Sequence, residues 1–199
     1  MPENPLSRYE SYITRLLEQA EIPNFIYGGR VWYLRGDTCS TRKIRYLAWI
    51  IPDELFSKAC EVLDVAGFPR DNKSRWKMIK LAERDHTVQV GDAIYSCAAE
   101  LKIPYGAHLV RKSRLLMKMP NPGLGRISPY DRNYMLTTDD RVKNQGKEEP
   151  RLLCFRPPVV FDCQTEDDYP VKMIRFGGPV TVREPFDDFS GLWTLDEVF

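Results

Sequence analysis

Asn24-Phe25-Ile26-Tyr27-Gly28-Gly29-Arg30-Val31-Trp32-Tyr33-Leu34 and, after a polar interval, Lys43-Ile44-Arg45-Tyr46-Leu47-Ala48-Trp49-Ile50-Ile51-Pro52-Asp53 are the two stretches whose reading decides the fold class. Asn24 to Tyr27 predicts a short strand that runs into a Gly-Gly turn. Arg30 to Leu34 predicts one or two helical turns ended by Gly36, and Lys43 to Ile51, aromatic and β-branched, predicts a second strand stopped by Pro52. Glycines at a strand-to-helix turn let backbone approach closely, and helix N-terminal amides favour a phosphate. Tight turns use the same pair for steric reasons alone.

Upstream, Ser7 and Glu10 have capping-box spacing, and Tyr9, Tyr12, Ile13, Leu16, Leu17 and Ala20 fall on one helical face, with Pro23 as the stop. Downstream, Asp53 is placed to cap a helix carrying Leu55, Phe56, Ala59, Cys60, Val62, Leu63 and Ala66, with Gly67 at its exit. Thr87–Val90, Ala107–Val110, Val171–Phe176 and Val180–Arg183 read as short strands, and Ser113–Met119 as a helical piece ended by Pro120. Helices interleaved with strands point to an α/β (α+β) domain.

The chain has 199 residues, 29 basic against 28 acidic side chains, and 43% hydrophobic residues. A single domain spanning 1–199 is the expectation, and at this size it buries roughly 70% of the surface its unfolded chain exposes. The net charge of +1 removes the strongest argument for a dedicated nucleic-acid partner. Its distribution is uneven. Residues 1–146 hold 23 basic and 17 acidic side chains, and residues 147–199, an acidic extension with two of the strand-like runs, hold 6 and 11. The acidic run Glu166-Asp167-Asp168 reads as a solvated loop. The longest apolar stretch, around Tyr46 to Pro52, falls far short of the roughly 20 residues of a spanning helix. The first residues lack a basic-then-apolar signal pattern, so no membrane association and a cytoplasmic location are expected. Cys39, Cys60, Cys97, Cys154 and Cys163 contain no Cys-x-x-Cys pair and read as scattered thiols in a reducing compartment, with no metal.

The order helix, strand, Gly-Gly, short helix, strand, Pro-Asp, long helix resembles the minimal nucleotidyltransferase fold. It resembles more closely the fungal nucleotidyltransferase-fold-like proteins, through Ile51-Pro52-Asp53-Glu54, Ala66-Gly67-Phe68-Pro69, His108-Leu109-Val110-Arg111-Lys112-Ser113-Arg114-Leu115-Leu116 and Met135-Leu136-Thr137-Thr138-Asp139-Asp140-Arg141. The likeness covers roughly residues 10–145 and implies a mixed sheet flanked by helices. In the minimal nucleotidyltransferase fold the strand after the Gly-Gly or Gly-Ser turn carries Asp-x-Asp. Here it reads Thr41-Arg42-Lys43-Ile44-Arg45, with cations where the metal-binding carboxylates belong. Two cations cannot hold magnesium. The resemblance thus implies no metal, no cofactor and no nucleotidyl transfer, unless a shifted register brings in Asp37.

What the resemblance leaves is a repurposed cleft. Tyr27, Lys43, Arg45 and His108 are its implied catalytic groups, acting as donors to a substrate carbonyl. Gly28, Gly29, Trp32, Tyr46 and Trp49 are its implied substrate-binding residues, although Trp32, Tyr46 and Trp49 read equally as core. Aromatics with a few polar groups suit an apolar small molecule. Fungal members occur in natural-product gene neighbourhoods. The implied activity is that of a cofactor-independent cyclase, a pericyclase of Diels–Alderase type, with a norbornene among its implied products, in terpenoid secondary metabolism. A pericyclic reaction needs no nucleophile or redox partner, and orientation alone lowers such barriers by up to roughly 7–11 kcal/mol. The alternative is a non-catalytic module that binds a nucleotide, RNA or a protein through Arg42, Lys43, Arg45, Arg111, Lys112 and Arg114. A surviving nucleotidyltransferase is a third reading.

Overall fold

The computed structural model describes residues 5–34, 44–84, 90–97, 105–115, 119–139, 141–142 and 169–175. The predicted elements at Gly36, Thr87–Gln89 and Val180–Arg183, and the closing aromatics Trp193 and Phe199, lie outside them.

The element order is α1 (Pro5–Gln19), β1 (Phe25–Tyr27), α2 (Gly29–Leu34), β2 (Leu47–Ile51), α3 (Phe56–Val65), α4 (Asn72–Ala82), β3 (Ala93–Tyr95), β4 (Ala107–Arg111), β5 (Tyr134–Leu136) and β6 (Lys172–Ile174). The six strands form one mixed sheet in the order β3-β4-β2-β1-β6-β5. β1 pairs antiparallel with β2 and parallel with β6, while β2 pairs parallel with β4. β3 and β5 close the two edges antiparallel. The domain is therefore an α+β fold with a helix-flanked sheet, and β6, from the range 147–199, sits inside that sheet.

β2 is buried at all five positions, which is why it reads as a continuous apolar run. Leu47, Trp49 and Ile51 face one side with Leu6, Tyr9, Ile13 and Leu17 of α1 and Phe56, Ala59 and Leu63 of α3. Ala48 and Ile50 face the other, among Phe25, Tyr27, Val110, Tyr134 and Ile174. α4 covers the β3 end of this second face, with Met78 against Ile94.

Three local readings are corrected. Ser7 and Glu10 lie inside α1 and form no capping box there. The buried Glu10 carboxylate instead accepts from Arg30 Nε at 3.0 Å, and Ser7 Oγ accepts from Arg30 Nη2. The helix ends four residues before Pro23, in a Schellman turn: Ile22 N–H donates to Leu17 O and Glu21 N–H to Glu18 O, with Glu21 left-handed at φ 59°. α3 leaves by the same pattern through Gly67, as its sequence predicts. Asp53 opens a 3-10 turn, Asp53–Leu55, and does not cap α3. Its carboxylate accepts from the backbone N–H and the hydroxyl of Ser113, which tie it to the segment after β4 and hold it below the usual carboxylate range. Ser113 itself belongs to a 3-10 turn, Lys112–Arg114, and residues 116–118 of the helical piece expected over Ser113–Met119 lie outside the described residues.

Candidate functional site

Strand register gathers part of the predicted site. Tyr27 lies opposite Ala48, Ala48 opposite His108, and His108 opposite Ile94. Directly paired residues share a face of the sheet, so these four side chains form a row on the face away from α1 and α3. Tyr46, two residues before Ala48, lies over the row. Its ring stacks on His108 at 4.5 Å and 8° between planes. Its other edge reaches the Gly-Gly turn, where Gly28 stands at φ 85° and a Cβ would meet Tyr46 Cε2 at 3.6 Å. Small Ala48 beneath and glycine at the turn leave the space that this ring fills.

His108 is fully buried. Nε2 lies 2.9 Å from the Tyr105 carbonyl oxygen. A carbonyl only accepts, so Nε2 carries the proton and Nδ1 is an acceptor. Nδ1 has no partner among the described residues. Burial disfavours the imidazolium and draws the His108 pKa down to about 4, against a smaller opposing effect of the Tyr105 carbonyl. His108 is thus a neutral acceptor at pH 7, and its predicted role as a donor is corrected. Gly91 backs the ring so closely that a Cβ there would fall 2.8 Å from His108 Cβ. Burial raises the Tyr27 phenol far above its usual range, with the Tyr46 phenol as a lesser cause, so Tyr27 keeps its proton. Every polar group of the row is held un-ionised at neutral pH.

The remaining predicted residues scatter. Trp49 points to the opposite face, fully buried, with Nε1 donating to Thr14 Oγ1 at 3.1 Å, and belongs to the core. The alternation of β2 puts it opposite to Ala48. Arg45 is exposed just before β2, and its carbonyl accepts from Tyr105 N–H. Gly29 is exposed with open space where a Cβ would stand. The Trp32 side chain, Asp37, Arg42 and Lys43 lie outside the described residues.

The basic patch of the alternative reading is interleaved with acids. Arg114 pairs with Asp92 at 3.1 Å, Arg111 N–H donates to Asp92 Oδ2, Lys112 donates to Asn121, and the Arg111 guanidinium lies 4.4 Å over the Phe56 ring. Asp53 sits beside it on Ser113. Cys97 is no ready nucleophile, since burial pushes its thiol up to about 12. No helix among the described residues is long and apolar enough to cross a membrane.

No protein-family model, curated protein or solved structure matches the chain. The likeness to nucleotidyltransferases therefore rests on the residues quoted above.

Sequence reasoning missed Ala48, Ile94, Gly91 and Tyr105. Ala48 was legible as the smallest member of an apolar strand. β3 spans three residues, too few for a period to show.

Proposed function

We propose that the chain is a cofactor-independent cyclase, a pericyclase that folds an apolar secondary metabolite into its reactive conformer against the Tyr27-Ala48-His108 row. The observation that carries this reading is the neutral, buried row itself: the Tyr27 phenol and the His108 imidazole, whose Nδ1 has no partner among the described residues, beside aromatic and aliphatic side chains. A polyphosphate needs cations or metal at its oxygens, whereas a neutral polyene needs shape and one or two hydrogen bonds. Tyr27 is the donor for a carbonyl on the dienophile. His108 Nδ1 accepts from a hydroxyl or a water on the substrate. Tyr46 holds the place of the ligand and leaves its stack on His108 as the ligand enters. The resemblance to fungal nucleotidyltransferase-like proteins supports a repurposed cleft, and a norbornene is the product class taken from that resemblance.

A norbornene is the Diels–Alder adduct of a cyclopentadiene and an alkene, which names the test. The full chain is incubated with cyclopentadienes bearing a tethered unsaturated aldehyde, and rate and enantiomeric excess are followed by chiral chromatography. Acceleration with one enantiomer in excess is expected. Tyr27→Phe lowers kcat about tenfold, equivalent to about 1.4 kcal/mol of lost transition-state hydrogen bonding, and Ala48→Trp abolishes the stereochemical bias by filling the row. Racemic product at the background rate throughout the panel, together with calorimetric heat on adding magnesium and ATP, overturns the proposal in favour of nucleotidyl transfer.

A further inference from the structure

His108 Nδ1 is a fully buried acceptor with no hydrogen-bond partner among the described residues. A buried lone pair left unmatched costs about as much as a lost hydrogen bond, and native folds hold few of them. The ring is fixed and cannot turn to find a partner. Its Nε2–H is committed to the Tyr105 carbonyl at 2.9 Å, Gly91 presses on it so closely that a Cβ would fall 2.8 Å from His108 Cβ, and the Tyr46 ring lies flat over it at 4.5 Å. Its cross-strand neighbours, Ala48 and Ile94, have no donor to offer, and neither has Met78, which packs on Ile94. Tyr46 is itself only partly buried. It packs against two apolar clusters, that of Tyr27, Ala48 and Ile50 and that of Met78 and Ile94. A molecule that takes the place of its ring meets both clusters and the edge of His108.

Resting on the proposed function of this row, we propose that its ligand is a conjugated apolar molecule with a hydroxyl on a short flexible arm, the flat π system lying over the His108 ring and the hydroxyl donating to Nδ1. The stacked Tyr46 ring, 8° from parallel, shows the kind of group that this face of the imidazole takes. The Nδ1 lone pair lies in the plane of the imidazole, so its donor stands at the edge of the ring and outside the stacked layer. A rigid flat molecule cannot occupy both positions. A saturated carbon between the π system and the hydroxyl turns the corner, and the ligand is thereby held folded. Nδ1 only accepts. A carbonyl, an ether or a carboxylate brings it nothing but further lone pairs. A site built to hydrogen-bond a hydroxyl rejects the analogue that lacks one, because its own buried group is then left unpaired. His108 is therefore the residue that sets specificity for the hydroxyl.

Cinnamyl alcohol and its methyl ether, which share a flat conjugated system and cannot cyclise, test this on the full chain. Calorimetry is expected to give a Kd at least about tenfold lower for the alcohol, and the imidazole nitrogen resonances of His108 to show Nδ1 moving upfield with the alcohol alone. Tyr46→Ala, which vacates the place of the ring, binds the alcohol more tightly and keeps the preference. In His108→Phe, which offers a ring to stack on and no acceptor, the two probes bind alike. Equal affinities in the parent chain overturn the proposal. So does an alcohol preference that leaves Nδ1 unmoved or survives in His108→Phe, and so does the absence of heat with either probe in both the parent and Tyr46→Ala. Any of these results beside an enantiomeric excess from the cyclopentadienyl aldehydes leaves the cyclase standing without a hydroxyl site. An alcohol preference that depends on His108, beside racemic product at the background rate, upholds the hydroxyl site and removes the cyclase.

Discussion

His108 couples acidity to stability through one side chain. Its pKa in the fold is about 4, against 6.5 for an ordinary histidine. A base whose pKa is depressed contributes stability that is complete above the unfolded value and is lost as pH falls toward the folded one. Between about pH 6.5 and pH 4 the unfolded chain binds a proton that the fold refuses, a loss approaching about 3 kcal/mol. Denaturant unfolding at a series of pH values is expected to show that loss. In His108→Phe, which keeps a ring against Tyr46 but cannot titrate, that loss is absent, so the variant's deficit at pH 7 closes as pH falls through this window and reverses to an advantage of about 2 kcal/mol near pH 4. The variant also gives up the bond to Tyr105 O, so at pH 7 it is expected to be less stable by about 1 kcal/mol. Parallel pH profiles for the two proteins would show that the imidazole is already charged in the fold.

Among the elements, the exits of α1 and α3 repeat one geometry with different residues. Both place a left-handed residue after the helix, at φ 59° for Glu21 and 81° for Gly67. A side chain in that region costs roughly 1–2 kcal/mol, and glycine returns part of this as unfolded-state entropy. Glu21→Gly is therefore expected to stabilise the protein by roughly 0.5–1 kcal/mol, read as a rise of about 1–3 °C in Tm; a fall would show that the Glu21 side chain makes a compensating contact. The same comparison shows what the chain discloses locally. Gly67 announces its turn because glycine is the usual left-handed residue. Glu21 conceals an identical turn, and Pro23 draws attention two residues too late. Ser7 and Glu10 conceal theirs too: capping-box spacing is also that of two residues on one helical face, and Arg30 from α2 takes both.

For the molecule as a whole, the C-terminal part is tied in by a buried polar knot. Lys172 of β6 forms an ion pair with Glu18 of α1, both almost wholly buried. Glu18 Oε2 also accepts from the Tyr169 hydroxyl at 2.8 Å and from Gly125 N–H at 2.7 Å. One carboxylate thus joins α1, the loop before β5 and the strand between β1 and β5. Lys172→Met is expected to cost about 3–5 kcal/mol, because it strands a buried charge, while Glu18→Leu/Lys172→Met recovers most of that loss. Equilibrium denaturation of the two single variants, the double variant and the parent closes the cycle, and additive losses would show that the pair does not interact. The sequence by itself determined the helix faces, the Gly-Gly turn and the apolar central strand, because burial on one or two faces leaves a period in neighbouring residues. Only the tertiary structure decided which residues of that strand meet. Register turned Ala48 toward Tyr27 and His108 and turned Trp49 into the core, and it brought Lys172 to Glu18 from 154 residues away. Pairing across strands is set by the packing of the whole sheet, and no local pattern carries it.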